Sequence, residues 1–88
     1  MLVDVREPFE KAIADLPEMG QLRIPLRDLP GRIHELPRDA DLVLYCRSGS
    51  RSAMAVAALV QRGFPRVWNL EGGLLRWRDE VDPSLTAY

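Results

Sequence analysis

The stretch from residue 42 to residue 60 reads LVLYCRSGSRSAMAVAALV and decides the fold of this chain. Its first four residues are uninterruptedly apolar, which predicts a strand buried on both faces in the centre of a parallel sheet. Its last eight residues are again apolar and are typical of a helix. A short loop between a buried strand and a helix points several backbone N–H groups into one small space, where the helix dipole adds positive potential. Cys46, which opens this loop, is therefore a candidate nucleophile.

The rest of the chain alternates between strand and helix signals around this centre. We expect further strands near residues 1–5, 21–24 and 67–70, and helices near residues 8–13, 28–36, 51–62 and 74–80. Asp28 is the expected cap of the second helix, and Gly63 the left-handed residue that ends the third. Trp68 and Trp77 fall within apolar elements and are expected in the core. The alternation implies a three-layer α/β domain whose sheet is mainly parallel and carries helices on both faces.

Length and composition limit the function classes. Eighty-eight residues make one domain, with no room for a second. The formal net charge is −1, so the chain lacks the strong positive field that attracts nucleic acid or an anionic membrane. The longest apolar run has eight residues, too few to cross a bilayer. A single cysteine cannot form an internal disulfide and no segment resembles a signal peptide, which predicts a reducing, cytoplasmic setting.

The cysteine loop, residues 46–52, combines residue types that hold negative charge on or beside sulfur. Gly49 permits a tight backbone cradle, and serines keep it open while offering hydroxyl donors. Two arginines should lower the pKa of the thiol together with the helix end. Ligands of such folds gather at the carboxyl ends of strands, where this loop lies. The candidate substrate-binding residues are therefore Arg47, Ser48, Gly49, Ser50, Arg51 and Ser52.

Less specific interpretations compete at each of these positions. A free cysteine is most often an inert, buried small hydrophobe, but the six residues after Cys46 are all polar or glycine, which favours a reactive thiol. The arginines could be ordinary solvated charges. His34 is expected on a helix surface rather than as a catalytic partner, and Cys46 with His34 is too few ligands for a zinc site. Asp4 and Arg6 are expected to form a supporting ion pair at a strand end.

Three blocks in order resemble the rhodanese family of sulfurtransferases. They are LVDVREP at residues 2–8, CRSGSRS at residues 46–52 and NLEGGLLRW at residues 69–77. The resemblance implies a single rhodanese-like domain over residues 1–88, which needs no cofactor or metal. It also implies that Cys46 takes up sulfur as a persulfide whose outer sulfur is cradled by the loop amides, and then passes it to a nucleophilic acceptor.

The ending, residues 77–88, is similar to the C-terminal rhodanese domain of ubiquitin-activating-type adenylyltransferases in molybdopterin and thiamine sulfur pathways. This similarity implies a sulfane donor, such as thiosulfate or a persulfide protein, and a ubiquitin-like sulfur carrier as acceptor. It also implies an adenylyltransferase that is fused to the domain or works with it. Two features depart from the family: residues 15–20 read DLPEMG instead of a His-Ile-Pro-Gly-Ala-like stretch, and the usual preceding strand and helix are absent. We therefore expect the chain to be a fragment.

Two other functions remain open at this point. Cysteine phosphatases place five residues between cysteine and arginine to surround a tetrahedral phosphate. Here four residues separate Cys46 from Arg51, which suits a smaller group, and Asp39 and Asp41 are as well explained as turn residues as by a general-acid role. A docking module that keeps the fold without catalysis is the third reading. Because no second cysteine exists, a persulfide on Cys46 needs an external acceptor such as cyanide, a thiol or a carrier-protein acyl adenylate.

Overall fold

A four-stranded parallel sheet organises the protein. The computed structural model describes residues 1–88. Its strands are β1 (Leu2–Asp4), β2 (Leu22–Arg23), β3 (Leu42–Tyr45) and β4 (Val67–Asn69). They lie in the order β2-β1-β3-β4, and every neighbouring pair is parallel. The mainly parallel α/β fold expected from the sequence is therefore confirmed.

Helices connect these strands. They are α1 (Glu10–Ile13), α2 (Leu29–Arg32), α3 (Ser50–Gln61) and α4 (Gly73–Glu80). The third predicted helix is confirmed within one or two residues, and Gly63 after it has the left-handed φ of 84°. No helix combines the length and the apolar character needed to cross a membrane.

The second predicted helix, residues 28–36, is broken into three pieces. Short 3-10 turns at Leu26–Asp28 and Ile33–Glu35 flank the four-residue α2. Pro30 lies in the first turn of α2, where it is tolerated but prevents the preceding 3-10 turn from continuing as one α-helix, and Gly31 disfavours the helix after it. Asp28 stands at the N-cap position of α2 as predicted, but its side chain makes no capping hydrogen bond.

Successive side chains of β3 point to opposite faces of the sheet, as in any strand. Leu44 and Cys46 point to one face and pack in a core of eleven buried residues that includes Leu59 of α3. Tyr45 points to the other face, where it packs with Leu74 of α4 in a smaller cluster. This alternation directs the Cys46 side chain toward the layer that contains α3, which begins four residues later.

The two tryptophans differ from the core placement predicted for both. Trp77 is partly buried and packs against the smaller cluster. Trp68 is 49% exposed, so its prediction was wrong. The reason is topological, because β4 is an edge strand of the sheet and has a neighbour on one side only. His34 is exposed in the second 3-10 turn, as the sequence indicated.

Candidate active site

Gly49 turns the cysteine loop from the end of β3 into the start of α3. Its φ of 97° is left-handed, which an L side chain rarely adopts. A Cβ built on it would also lie 3.0 Å from the backbone nitrogen of Gly72. Glycine is therefore required here by conformation and by space, and the turn brings the first amides of α3 back to Cys46.

The sulfur of Cys46 accepts hydrogen bonds from this turn. The Gly49 N–H donates to Sγ at 3.1 Å and the Ser52 N–H at 3.4 Å, while the Ser52 hydroxyl oxygen lies 3.4 Å from Sγ. The residue has no solvent exposure and belongs to the larger apolar core. Cys46 is thus as buried as an unreactive core cysteine, but its sulfur has the hydrogen-bond donors that stabilise a thiolate.

These donors determine the ionisation of the thiol. Burial is the largest single effect and acts to raise the pKa of Cys46. Hydrogen bonds from the Ser52 hydroxyl and from the amides of Ser52, Gly49 and Ser48 together outweigh it. The pKa of Cys46 is therefore lowered from its ordinary value, chiefly by dipoles of the loop.

The carbonyl groups of the cysteine loop are held by α4. The Leu74 N–H donates to the Cys46 carbonyl and the Leu75 N–H to the Arg47 carbonyl, both at 3.1 Å. These are amides of the first turn of α4, which lack partners within the helix. Gly73 makes the approach feasible, because a Cβ there would lie 2.3 Å from the Cys46 oxygen. With its carbonyls engaged on this side, the loop directs amides toward the sulfur.

Some loop amides are left without a backbone acceptor. These N–H groups belong to Arg47, Ser50 and Arg51. They lie within five residues of Cys46, around the positive end of α3. The loop therefore has donors in reserve beyond those that already contact Sγ.

Asn69 supports the loop from the end of β4. Its Nδ2 donates to the Gly49 carbonyl at 3.2 Å, and the Ser52 hydroxyl donates to its Oδ1 at 2.5 Å. The Ser52 hydroxyl has only one proton, so it can donate to Asn69 or to a Cys46 thiolate but not to both at full strength. Asn69 therefore fixes the orientation of the serine that contacts the sulfur.

Arg51 is held by a carboxylate rather than by the cysteine loop. Its two terminal nitrogens donate to the two Glu10 oxygens at 2.7 and 2.8 Å. Hydrogen bonding from Arg51 outweighs burial and lowers the pKa of Glu10 to about 2. The same contact raises the pKa of Arg51, with a smaller contribution from the charge of Cys46. The guanidinium is thus near the sulfur, but its charge is compensated.

The other predicted loop residues lie at the rim. The Arg47 guanidinium stacks over the Tyr88 ring at 5.3 Å, and its Nε is buried without a hydrogen-bond partner. The Ser48 and Ser50 hydroxyl oxygens are exposed and lie 3.3 Å apart. The structure therefore gathers Gly49 and Ser52 around the sulfur, whereas the remaining four residues surround the loop.

Asp4 and Arg6 form the ion pair that the sequence predicted, with Arg6 Nε 2.9 Å from Asp4 Oδ1. Arg6 is buried and also donates to the Ala14 carbonyl and to the Tyr88 hydroxyl, each at 2.8 Å. The pair belongs to a larger group that we call the charged cluster, which comprises Asp4, Arg6, Glu10, Asp15, Arg23 and Arg51. This cluster ties the end of β1 to the segments beside the cysteine loop.

Sequence reasoning missed four contributors to the site. Asn69 and Gly73 lie in a block that was recognised, but the block was read only as a strand end and a turn. The signal for Asn69 was a polar residue at the carboxyl end of a parallel strand. Glu10 and Tyr88 carried no signal, because their partners are distant in sequence. No group of three or more histidine, cysteine or acidic side chains has the geometry to hold a metal ion.

Comparison with known proteins identifies the family. The family model for the rhodanese-like domain matches residues 1–80. A sulfurtransferase of Allochromatium vinosum is 47% identical over 88% of this chain and 70% of its own length. The probable adenylyltransferase/sulfurtransferase MoeZ of Mycobacterium tuberculosis is 34% identical over 99% of this chain, which spans 22% of that protein.

A solved structure agrees with these sequence relatives. The crystal structure of a rhodanese-related protein from Thermoplasma volcanium superposes with a TM-score of 0.82 at 35% identity, and the match covers 91% of this chain and 77% of that one. The fold, the cysteine loop and the relatives therefore agree, and the chain belongs to the rhodanese-like domain family, whose members include proteins named sulfurtransferases.

Proposed function

We propose that this domain is a sulfurtransferase that carries sulfane sulfur as a persulfide on Cys46. The observation that carries the proposal is the pair of amide hydrogen bonds, from Gly49 and Ser52, that Sγ accepts at the start of α3. These donors lower the pKa of the thiol despite complete burial, and a thiolate is the form that attacks sulfur. The free amides at the loop rim suit an added, negatively charged outer sulfur.

In the loading step, the Cys46 thiolate attacks the sulfane sulfur of the donor. A new S–S bond forms at Sγ, and the bond from the sulfane sulfur to the rest of the donor breaks. The leaving group takes the electron pair of that bond, as sulfite when thiosulfate is the donor or as a thiolate when a hydropersulfide is the donor. No cofactor is needed, because the sulfur moves at a constant oxidation state.

In the discharge step, an external nucleophile attacks the outer sulfur and restores the Cys46 thiolate. Cyanide gives thiocyanate, and a thiol gives a new persulfide. The similarity to MoeZ, which is named a probable adenylyltransferase/sulfurtransferase, supports an adenylyltransferase as fused or separate partner. For the physiological acceptor we propose a ubiquitin-like sulfur carrier. A thiolate nucleophile also fits the reducing, cytoplasmic setting expected from the sequence.

The phosphatase alternative has less support from the geometry. Asp39 and Asp41, the acids nearest before β3, are exposed and contact Arg66. They precede β3, whereas Cys46 follows it, so these acids lie at the opposite end of that strand from the cysteine. Arg51, which would bind a phosphate, donates to Glu10 with both terminal nitrogens. Neither Asp39 nor Asp41 is therefore placed to act as a general acid at the loop, and Arg51 is not free to bind a phosphate.

Intact-mass measurement after incubation with a sulfane donor tests the proposal. We expect thiosulfate or glutathione persulfide to add one sulfur, about 32 Da, to the protein, because the thiolate retains the transferred atom. Cys46→Ser should show no adduct. Cyanide should then remove the added mass and release thiocyanate.

A parallel assay with p-nitrophenyl phosphate separates the alternatives. Turnover of the phosphate ester without any sulfur adduct would establish the hydrolase instead. Absence of both activities in the folded protein would favour the docking module. In the loading assay, we expect Arg51→Ala to weaken sulfur loading more than Arg66→Ala. Arg66 is the control, since it pairs with exposed Asp41 outside the loop.

A further inference from the structure

The guanidinium groups near the cysteine loop are almost all paired with carboxylates. The pairs are Arg6 with Asp4, Arg23 with Asp4 and Asp15, Arg27 with Glu7, and Arg51 with Glu10. Arg47 differs, because it stacks on Tyr88 and has no carboxylate partner. Apart from Arg47, the guanidinium groups of this region are therefore compensated, although the segment is rich in arginine.

Glu10 is the carboxylate that compensates the arginine of the loop itself. Its side chain is only 5% exposed. Besides the two bonds from Arg51, it accepts the Glu7 N–H at 2.8 Å and the Tyr88 hydroxyl at 3.0 Å. Four donors thus hold a buried carboxylate in one orientation, so that its contact with Arg51 is a fixed part of the site.

A cavity beside this ion pair has the size and lining for the body of a small donor. Its volume is about 220 Å³, and it is lined by Val5, Glu7, Leu26, Arg27 and Arg51. Two of these side chains are apolar, and the charged ones are paired across the cavity or with Glu10. Such a wall accommodates an organic group better than a bare dianion.

We infer that Glu10 determines donor specificity, by neutralising Arg51 so that the site favours hydropersulfides over thiosulfate. The inference rests on the proposed sulfur transfer and narrows its donor class. Glu10 is a positioning residue in this role, because it acts through Arg51 and does not contact the sulfur.

The charges of the two loading reactions explain the preference. In a protonated hydropersulfide R–S–SH, the reacting S–S–H group carries no charge when the Cys46 thiolate attacks its outer sulfur. The S–S bond breaks and RS⁻ leaves with the electron pair, while the proton remains on the new persulfide or passes to RS⁻. Thiosulfate brings two negative charges toward a thiolate, and sulfite leaves with both. Like charges repel unless a cation is free to offset them, and Glu10 compensates the charge of Arg51.

The test compares loading rates for the two donors with the full chain. Cys46 persulfide formation is followed by quenched-flow intact mass, with thiosulfate and with glutathione persulfide, in wild type and in Glu10→Gln. Glutamine keeps a carbonyl oxygen for one bond from Arg51 but removes the charge. We expect the ratio of thiosulfate to persulfide rate constants to rise about fivefold or more, because Arg51 becomes an uncompensated cation.

Glu35→Gln is the matched control, since Glu35 also pairs with an arginine but is exposed and distant from the loop in sequence. It should leave the ratio unchanged. In an Arg51→Gln background the Glu10→Gln effect should vanish, because the arginine through which Glu10 acts is gone. If Glu10→Gln changes both donors in the same proportion, Glu10 is structural only and the inference is overturned.

A measurement on the wild type covers the case in which Glu10→Gln does not fold. Thiosulfate loading that is constant or faster at higher ionic strength supports a compensated site, since salt screens repulsion between like charges. A steep fall with salt means that a free cation attracts thiosulfate and overturns the inference. Failure of both donors to load any folded variant would instead overturn the proposed sulfur transfer itself.

Discussion

The cysteine loop and the charged cluster lie side by side and are built in opposite ways. In the loop, the bonds to Sγ come from residues three and six positions away in the chain. In the charged cluster, Arg51 and Glu10 are separated by 41 positions, and Tyr88 and Glu10 by 78. The first region follows from local backbone geometry, whereas the second exists only once the sheet has assembled.

The two regions also divide the chemistry. The loop lowers the pKa of Cys46 through amide and hydroxyl dipoles that a short sequence can provide by itself. The carboxylates of the charged cluster hold the guanidinium groups and compensate their positive charge. Arginines in a catalytic motif are therefore not by themselves evidence of a cationic site.

The largest expected effect comes from breaking the support of the loop at Gly73. In Gly73→Ala, the new Cβ would overlap the carbonyl oxygens of Cys46 and Arg47, at 2.3 and 2.6 Å, and the residue would keep a left-handed φ of 56°. Because these contacts are backbone atoms, we expect a loss of more than about 3 kcal/mol in unfolding free energy. Urea denaturation measures this loss, and sulfur loading should fall with it.

Gly20→Ala is the matched control for that clash. Gly20 has a similar positive φ of 74°, but nothing lies within 4 Å of the built Cβ. The conformational penalty alone should cost about 1 kcal/mol. Equal losses in the two variants would mean that the close approach of α4 to the loop is not needed.

The next largest effect concerns the charged cluster in acid. The pKa of Glu10 is about 2 in the folded protein against an ordinary value of 4.5. Because the folded pKa is the lower one, the stabilisation is complete above pH 4.5 and is lost as the pH falls toward 2, in total on the order of 3 kcal/mol. Between pH 6 and pH 3, wild type should lose on the order of 2 kcal/mol more than Glu10→Gln.

Urea denaturation of both proteins at the two pH values checks this difference. Glu35→Gln is a suitable comparison, since the Arg32 contact also lowers the pKa of Glu35 but the pair is exposed and screened. Its pH dependence should remain close to that of wild type. If Glu10→Gln loses as much stability in acid as wild type, the Arg51 contact does not hold the carboxylate ionised.

Ser52→Ala tests the loop alone and should act on reactivity more than on stability. It removes the hydroxyl 3.4 Å from Sγ while keeping the Ser52 N–H, so we expect the pKa of Cys46 to rise. The pH dependence of alkylation by iodoacetamide measures this pKa. Ser50→Ala, whose hydroxyl is exposed and contacts Ser48, should leave the curve unchanged.

The same contrast explains how far the sequence could be interpreted. The strand, the loop and the helix around Cys46 were predictable because hydrophobic pattern and glycine position act locally. Asp28 makes no capping hydrogen bond because its own backbone is helical, with φ −94° and ψ −8°, as it also ends the preceding 3-10 turn. Trp68 was misplaced because composition does not reveal which strand lies at the edge of the sheet. The partners of Arg51 and Arg47 could not be predicted, since they depend on tertiary contacts.

The smallest expected effect comes from Tyr88, where the charged cluster and the loop meet. Its hydroxyl accepts from Arg6 and donates to Glu10, while its ring lies under Arg47. Tyr88→Phe removes only the two hydrogen bonds and should lower the free energy of unfolding by about 1 kcal/mol. Thermal denaturation measures this loss. Tyr88→Leu also removes the aromatic face and should lose about 0.5 kcal/mol more.

Since Arg51 keeps both Glu10 oxygens in Tyr88→Phe, the ratio of donor rates should stay near that of wild type. A large change in that ratio would mean that the tyrosine, rather than the Arg51 contact, holds Glu10 in position, and that the two regions are coupled more tightly than their separate construction suggests.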